Sequence, residues 1–116
     1  MTNYGATAGS GPPYREKRSV PRYSLIASVE IVEPVSDAHM SGRVSEISRK
    51  GCYLDILNTL PVSTKIRLTV TRDQGTFTTL GRIIYVQEGM GMGVAFLETT
   101  DDQMKILDAW LDALKE

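Results

Sequence analysis

Residues 44–54 of the chain read VSEISRKGCYL, with apolar residues alternating on both sides of a short polar segment, SRKG at 48–51. Alternation with a period of two is typical of a half-buried strand, and a short polar segment that contains glycine is typical of a turn. The stretch therefore predicts two strands joined by a tight turn. A lone carboxylate, Glu46, stands just ahead of that turn.

The same period of two recurs along much of the chain. Besides the strand at 43–48, it predicts strands around 24–33, 52–56, 66–70, 76–87 and 92–98. Between them, the segment 35–42 is expected to be a loop, Asp73-Gln74-Gly75 favours a hairpin turn, and Gly81 suggests a bulge or bend. Six short strands with tight turns predict a small antiparallel β-barrel.

The last segment changes to a helical period. Thr100-Asp101-Asp102-Gln103 has the pattern of a capping box, in which the Thr and Gln side chains satisfy free backbone N–H groups. Apolar residues then follow on one helical stripe: Met104, Leu107, Trp110, Leu111 and Leu114. The fold class predicted is therefore all-β with one C-terminal helix lying on the barrel.

Composition indicates one ordinary globular domain. The chain has 116 residues, of which 41% are hydrophobic and 23% charged. We expect a flexible tail at 1–14, rich in Gly, Ser and Thr, and a folded domain at 15–116. A single Cys and a single His offer neither a disulfide nor a metal-ligand cluster. Without a signal-like or membrane-spanning apolar run, a cytoplasmic, metal-free protein is expected.

Positive charge is concentrated in one short stretch, REKRSVPRY at 15–23. The net charge of −1 argues against a general nucleic-acid binder, which needs a broad basic surface. Because Pro21 disfavours a helix, Arg18 and Arg22 would lie about 13 Å apart in an extended chain. Arginine binds phosphates and guanine edges in a bidentate manner, so the pair suits a small anion. The alternative is a solvated basic tail.

The residues around the turn suggest an anion site as well. Glu46 and Ser48 are two apart on a strand and would share a face, and the carboxylate could accept paired hydrogen bonds from guanine. Ser48 and the turn N–H groups could hold a phosphate, and Gly51 would allow close backbone approach or a positive φ. Alternatively, the Ser and the Gly serve only the geometry of a hairpin. Arg49 and Lys50 either add positive charge or face solvent.

Taken together, the two stretches resemble the PilZ domain family, which comprises receptors for the bacterial second messenger cyclic di-GMP. The signatures of that family are RxxxR and [D/N]xSxxG. Here they read Arg18-Ser-Val-Pro-Arg22 and Glu46-Ile-Ser-Arg-Lys-Gly51. Surrounding segments such as PRYSL, GCYLDI, LGRIIYV and GMGVAF are similar too, and the resemblance covers about residues 15–114.

The resemblance implies a six-stranded antiparallel barrel with a C-terminal helix and a cyclic di-GMP site. Its ligand-binding residues would be Arg18, Arg22, Glu46, Ser48 and Gly51. In one respect the chain departs from the family pattern, because Glu46 stands where the family has Asp or Asn. The extra methylene moves the carboxylate oxygens by roughly 1.5 Å, about one carbon–carbon bond.

Two hypotheses for the function follow. In the first, the chain is a non-enzymatic cyclic di-GMP receptor, without other cofactors, whose N-terminal arm changes conformation on binding. As a monomer or weak homodimer, it would pass the signal to a downstream protein partner. In the second, it is an interaction adaptor whose nucleotide binding is weak or lost because of Glu46. An enzyme is disfavoured because the sequence offers no catalytic set; Cys52 alternates with core residues and His39 lies in the predicted loop.

Overall fold

The computed structural model describes residues 20–115, which form six β-strands and one α-helix. The strands are β1 Tyr23–Glu33, β2 Ala38–Ile47, β3 Gly51–Asp55, β4 Lys65–Arg72, β5 Gly75–Gln87 and β6 Gly91–Leu97, and the helix is α1 Asp101–Leu114. The tail predicted at 1–14 lies outside the described residues, and so does Arg18. Within residues 20–115 no helix has the length and apolar character needed to span a membrane.

The strands close into an antiparallel barrel in the order β1-β2-β3-β6-β5-β4, with β4 pairing back onto β1. This confirms the predicted fold class. The apolar residue of each alternating pair points inward, so that the interior is filled by aliphatic side chains and one phenyl ring. The largest fully buried ones include Phe77, Ile31, Ile47, Leu54, Ile66, Leu68 and Ile83.

Helix α1 packs on the barrel through Leu107 and Leu111, which are both buried. The predicted capping box is confirmed for the Thr100 side chain and wrong for the Gln103 side chain. Thr100 accepts a hydrogen bond from the Gln103 backbone N–H at 3.4 Å, but the Gln103 side chain accepts from the Thr78 backbone N–H at 2.7 Å. The pairing of β5 with β6 ends at Leu80, so the Thr78 N–H has no partner on β6. The Gln103 side chain accepts its hydrogen bond instead.

The loop predicted at 35–42 and the bulge suggested at Gly81 are both wrong. The segment 35–42 is mostly strand, since β2 begins at Ala38 and pairs with β1 as far as Glu33. Its outward residues are polar, and this hid the strand pattern. Gly81 makes no bulge, but pairs regularly with Ile66 and Phe96. Glycine is needed there because an added Cβ would lie 2.6 Å from a methyl carbon of Val94.

The irregularity in β5 lies between Ile83 and Tyr85, where β5 has one more residue than β6. Such an extra residue reverses the direction of the side chains that follow it. Ile83 is fully buried, whereas Tyr85 is 42% exposed, although in a regular strand two residues this far apart share a face. The shift therefore places Tyr85 on the outside of the barrel.

Candidate functional site

The turn between β2 and β3 is closed by the side chain and backbone of Ser48. The Ser48 N–H donates to the Gly51 carbonyl at 2.9 Å, and the Ser48 hydroxyl accepts from the Lys50 N–H at 3.1 Å. The same hydroxyl lies 3.4 Å from the Gly51 carbonyl oxygen, to which it donates. Ser48 is only 5% exposed. Its polar groups thus stabilise the turn before any ligand is considered.

Gly51 is required by the neighbouring strand. A Cβ at this position would lie 2.2 Å from the carbonyl oxygen of Val94 on β6, far inside contact distance. Among the glycines in residues 20–115, only Gly89 has a positive φ, so Gly51 does not need the left-handed region. Of the two reasons predicted for this glycine, close backbone approach is the one observed, and the approaching backbone is that of β6.

Glu46 and Arg22 face each other beside the turn. Glu46 lies on β2 opposite Ser24, and Arg22 directly precedes β1, so the β1–β2 pairing brings the two together. The Arg22 Nη1 lies 3.3 Å from the Glu46 Oε1, and the two side chains are 36% and 41% exposed. A pair this accessible contributes little to stability, and both groups remain available to a ligand.

Next to this ion pair, three neighbouring positions form a row on the outer wall: Tyr53 on β3, Gly93 on β6 and Tyr85 on β5. In the register, Glu46 on β2 faces Tyr53 on β3, Tyr53 faces Gly93 on β6, and Gly93 faces Tyr85 on β5. The Tyr53 and Tyr85 rings stack with centroids 6.0 Å apart and planes inclined by 29°. Burial raises the pKa of Tyr85, an effect that the nearby Arg22 partly opposes, so the phenol is neutral near pH 7.

These groups line one shallow depression of about 230 Å³, called here the candidate site. Its wall includes Arg22, Glu46, Ser48, Lys50, Gly51, Tyr53, Ile84 and Tyr85. Four of the five predicted ligand-binding residues are thus brought together, while the fifth, Arg18, lies outside the described residues. The depression is smaller than the ~300–1,000 Å³ of typical ligand pockets, so a ligand of ordinary size would extend over the open surface around it.

The two cations inside the turn point in different directions. Lys50 lines the candidate site, whereas Arg49 binds Asp108 of α1 through two hydrogen bonds of 2.8 and 3.2 Å. This interaction raises the pKa of Arg49 and lowers that of Asp108. Arg49 instead lines a neighbouring groove of about 400 Å³ between Pro21, Tyr23 and α1. The turn is therefore tied to the helix by the side chain next to Ser48.

The remaining candidates carry no comparable arrangement. Cys52 is buried, as expected of a packing thiol, and burial raises its pKa to about 12. His39 is 65% exposed and lies 3.4 Å from the Asp37 carboxylate. No group of three or more His, Cys, Asp or Glu residues within 20–115 is arranged to hold a metal ion.

The fold and the position of the site define a small antiparallel β-barrel domain with a polar, partly aromatic site on its outer wall, beside a β-hairpin turn. Comparison with known protein families identifies the family of this domain: the PilZ domain model matches residues 16–113. The chain therefore belongs to the PilZ domain family, which confirms the resemblance seen in its sequence. No curated protein sequence matches this chain.

Solved structures share the fold at low sequence identity. The PilZ domain of YcgR from Escherichia coli, solved with c-di-GMP, aligns with a TM-score of 0.73 and 14% identity, over 85% of this chain and 92% of that chain. The PilZ domain of CeSA from a cellulose-synthesizing bacterium gives 0.64 and 16%, over 83% and 99%. The Bacillus subtilis inhibitor of motility, MotI/DgrA, gives 0.68 and 16%, over 85% and 53%.

Proposed function

We propose that this PilZ domain is a cyclic di-GMP receptor that binds the dinucleotide at the candidate site. The observation that carries the proposal is the convergence of Arg22, Glu46, Ser48 and Gly51, which come from two stretches of sequence, on one depression. The likeness to the YcgR domain, whose structure contains c-di-GMP, supports the fold for such a role.

The chemistry of the site suits a ligand with two phosphates and two guanines. Arg22 supplies a guanidinium that can bind a phosphate or a guanine edge, and Lys50 places a second cation in the same wall. The Glu46 carboxylate can accept from guanine N1–H and N2–H together. Arg18, four residues before Arg22, would add a second guanidinium from the N-terminal arm, residues 15–22.

Binding would exchange the partners of the Arg22–Glu46 ion pair. In the free protein the guanidinium neutralises a carboxylate that would otherwise repel the ligand phosphates. A guanine that donates to Glu46 replaces Arg22 as its partner, and Arg22 then turns to a phosphate. Because both side chains are more than one-third exposed, this exchange costs little desolvation.

We further propose that the role is binding without catalysis, and that the signal leaves through the N-terminal arm. Since Arg22 joins the arm to β1, a ligand that repositions Arg22 also repositions the residues before it. A moved arm presents a changed surface to a downstream protein. The chain would act as a monomer or weak homodimer in the cytoplasm, with cyclic di-GMP as its one ligand.

Calorimetric titration with cyclic di-GMP, beside GTP and cyclic GMP, tests the proposal. The unaltered protein should bind the cyclic dinucleotide best, and Arg22→Ala should weaken it at least about 10-fold, because a charge-assisted bond to phosphate is lost. Arg67→Ala is the matched control, since Arg67 is an exposed arginine on β4 that does not line the candidate site. Absence of heat at high micromolar cyclic di-GMP would contradict the proposal, and so would equal losses in the two variants.

The adaptor hypothesis is favoured by one observation, the Arg22–Glu46 ion pair itself. A carboxylate already 3.3 Å from a guanidinium has a partner within the chain, and the longer Glu side chain makes that contact easier than Asp would. Glu46→Asp separates the two hypotheses. If cyclic di-GMP binds only after this change, the natural chain is an adaptor; if the natural chain already binds, the receptor proposal stands.

A further inference from the structure

The outer wall formed by β4, β5 and β6 carries two leucines that do not fill the barrel. Leu80 on β5 and Leu97 on β6 pair directly and are partly exposed. Within residues 20–115, neither belongs to the buried core or to the residues packed against it. We propose that this wall is the contact surface for a second copy of the chain, in a symmetric dimer that forms without nucleotide and independently of the receptor function proposed above.

Three cations lie on one side of the leucine pair. Arg67 on β4 faces Leu80, and Lys65 and Arg82 face each other two residues further along the same two strands. In the part of the chain that the structure describes, none of the three forms an ion pair, and the Arg82 Nε is buried without a hydrogen-bond partner. Like charges that lack nearby carboxylates repel one another, so this corner of the wall favours an anionic partner.

Three carboxylates lie on the other side of the leucine pair: Glu98, directly after β6, and Asp101 and Asp102 at the start of α1. The start of α1 is held there because the Gln103 side chain accepts a hydrogen bond from the Thr78 N–H. Thr78 lies two residues from Leu80, in the direction away from the cations. All three carboxylates are exposed, and none forms an ion pair with a residue in 20–115.

The pattern of charges on this wall is complementary to itself. A two-fold axis near the leucine pair places Leu80 of one protomer against Leu97 of its partner. Arg67 of the first protomer, beside Leu80, then meets Glu98 of the second, beside Leu97. Each contact occurs twice, so cations meet carboxylates at both ends of an apolar centre. Because the patch covers only parts of three strands about 4.8 Å apart, the dimer should be weak and sensitive to salt.

Sedimentation equilibrium of the whole chain without nucleotide tests the dimer. The unaltered protein should dimerise reversibly with a dissociation constant on the order of 100 μM, as expected of a small interface. Arg67→Glu and Glu98→Lys should each raise that constant at least about 10-fold, because like charges then face each other. The double variant should return to within about 3-fold of the unaltered protein, because the ion pair is restored with its signs exchanged.

Arg43→Glu is the matched control, because it changes the net charge by the same amount on the opposite side of the barrel. Arg43 is exposed on β2, the strand across the closed barrel from β5. Its dissociation constant should stay within about 2-fold of that of the unaltered protein. Urea denaturation checks that each variant is folded, and Lys65→Glu makes the same comparison if Arg67→Glu does not fold.

Three outcomes would overturn the dimer. The unaltered chain could stay monomeric up to about 1 mM, which would leave the wall to a different, acidic protein. Arg67→Glu and Arg43→Glu could weaken association equally, or the double variant could associate as weakly as the single variants. None of these measurements involves cyclic di-GMP, so the failure of the dimer and the failure of the proposed function are distinguished.

Discussion

Two parts of the outer wall, the hairpin turn at 48–51 and the row formed by Tyr53, Gly93 and Tyr85, both depend on a glycine, but for different reasons. At Gly51 the space of a side chain is filled by the Val94 carbonyl, which is part of the β6 backbone. At Gly93 it is filled by the Tyr85 ring, which is the end of a partly exposed side chain. The backbone of a closed barrel cannot move aside, whereas a surface ring can rotate.

This difference separates residues that serve the fold from residues available to a ligand. Ser48 and Gly51, the recognisable motif positions, already have structural tasks in closing the turn and admitting β6. A change at either one alters stability as well as any binding. Tyr85 is 42% exposed and does not belong to the buried core, so a change there should affect a ligand more than the stability of the barrel.

The largest effect is expected for Gly51→Ala. The added methyl group would meet the Val94 carbonyl oxygen at 2.2 Å, so that β3 and β6 must separate locally. Overpacking of this kind costs about 3 kcal/mol in the free energy of unfolding. Urea denaturation followed by far-UV circular dichroism measures it.

Gly75→Ala is the control for that substitution, because its Cβ would approach the Trp110 ring no closer than 3.4 Å. We expect a change within about 0.5 kcal/mol, as for ordinary surface positions. If Gly51→Ala were as stable as Gly75→Ala, Gly51 would not be a structural position and the contrast between the two parts of the wall would be lost.

A middle-sized effect, on binding and not on stability, is expected for Gly93→Ala. Its methyl group would displace the Tyr85 ring while leaving the backbone in place, so the free energy of unfolding should change by less than about 1 kcal/mol. Affinity for cyclic di-GMP should fall about 5-fold, because Tyr85 lines the candidate site and its ring moves.

A double-mutant cycle sharpens this test. Once Tyr85→Leu has removed the ring, Gly93→Ala has nothing left to displace and should cost no further affinity. Additive losses in the double variant would show that Gly93 acts on the ligand directly, and not through Tyr85.

The barrel was predictable because its pattern is local and repeated. In β1 and β4, every second residue is apolar and buried, as in Val29 and Ile31 or Leu68 and Val70. Strand order was not accessible in this way, since the β3–β6 pairing joins residues about 40 apart in sequence. The motif residues Glu46, Ser48 and Gly51 were found because one hairpin carries them all.

Tyr85 was missed because a single extra residue changes the face of a strand without changing its composition. The residue gained after Ile83 is Ile84, itself apolar, so the sequence shows an unbroken strand. The alternation then groups Tyr85 on one face with Ile83, which the structure shows to be buried. Only the pairing with β6 shows the shift, and only the pairing sets Tyr53 and Tyr85 on either side of Gly93.

Gln103 illustrates the same limit at the helix. Its spacing from Thr100 suited a reciprocal cap, but a free N–H on β5 lay within reach and took the side chain instead. A local sequence pattern can predict a hydrogen bond between two groups that are close in the chain. It contains no information about a group from a distant strand, here the Thr78 N–H, that the fold brings closer.

The smallest effect is expected for the Arg49–Asp108 ion pair, which connects the turn to α1. The tyrosines have no such ion pair to the helix. Because the hydrogen bonds from Arg49 lower the pKa of Asp108, the folded state favours the charged carboxylate. Its contribution is present above the pKa of the unfolded chain, near 3.8, and is lost as the pH falls toward the lower folded value. Unfolding midpoints measured between pH 6 and pH 3 should therefore fall more for the unaltered protein than for Asp108→Asn. Asp112→Asn is the control, because it removes the pairing with Lys115 and leaves the Arg49–Asp108 pair in place; its unfolding midpoint should fall as steeply as that of the unaltered protein. If the midpoints of Asp108→Asn and Asp112→Asn fell equally with pH, the Arg49–Asp108 pair would not stabilise the turn.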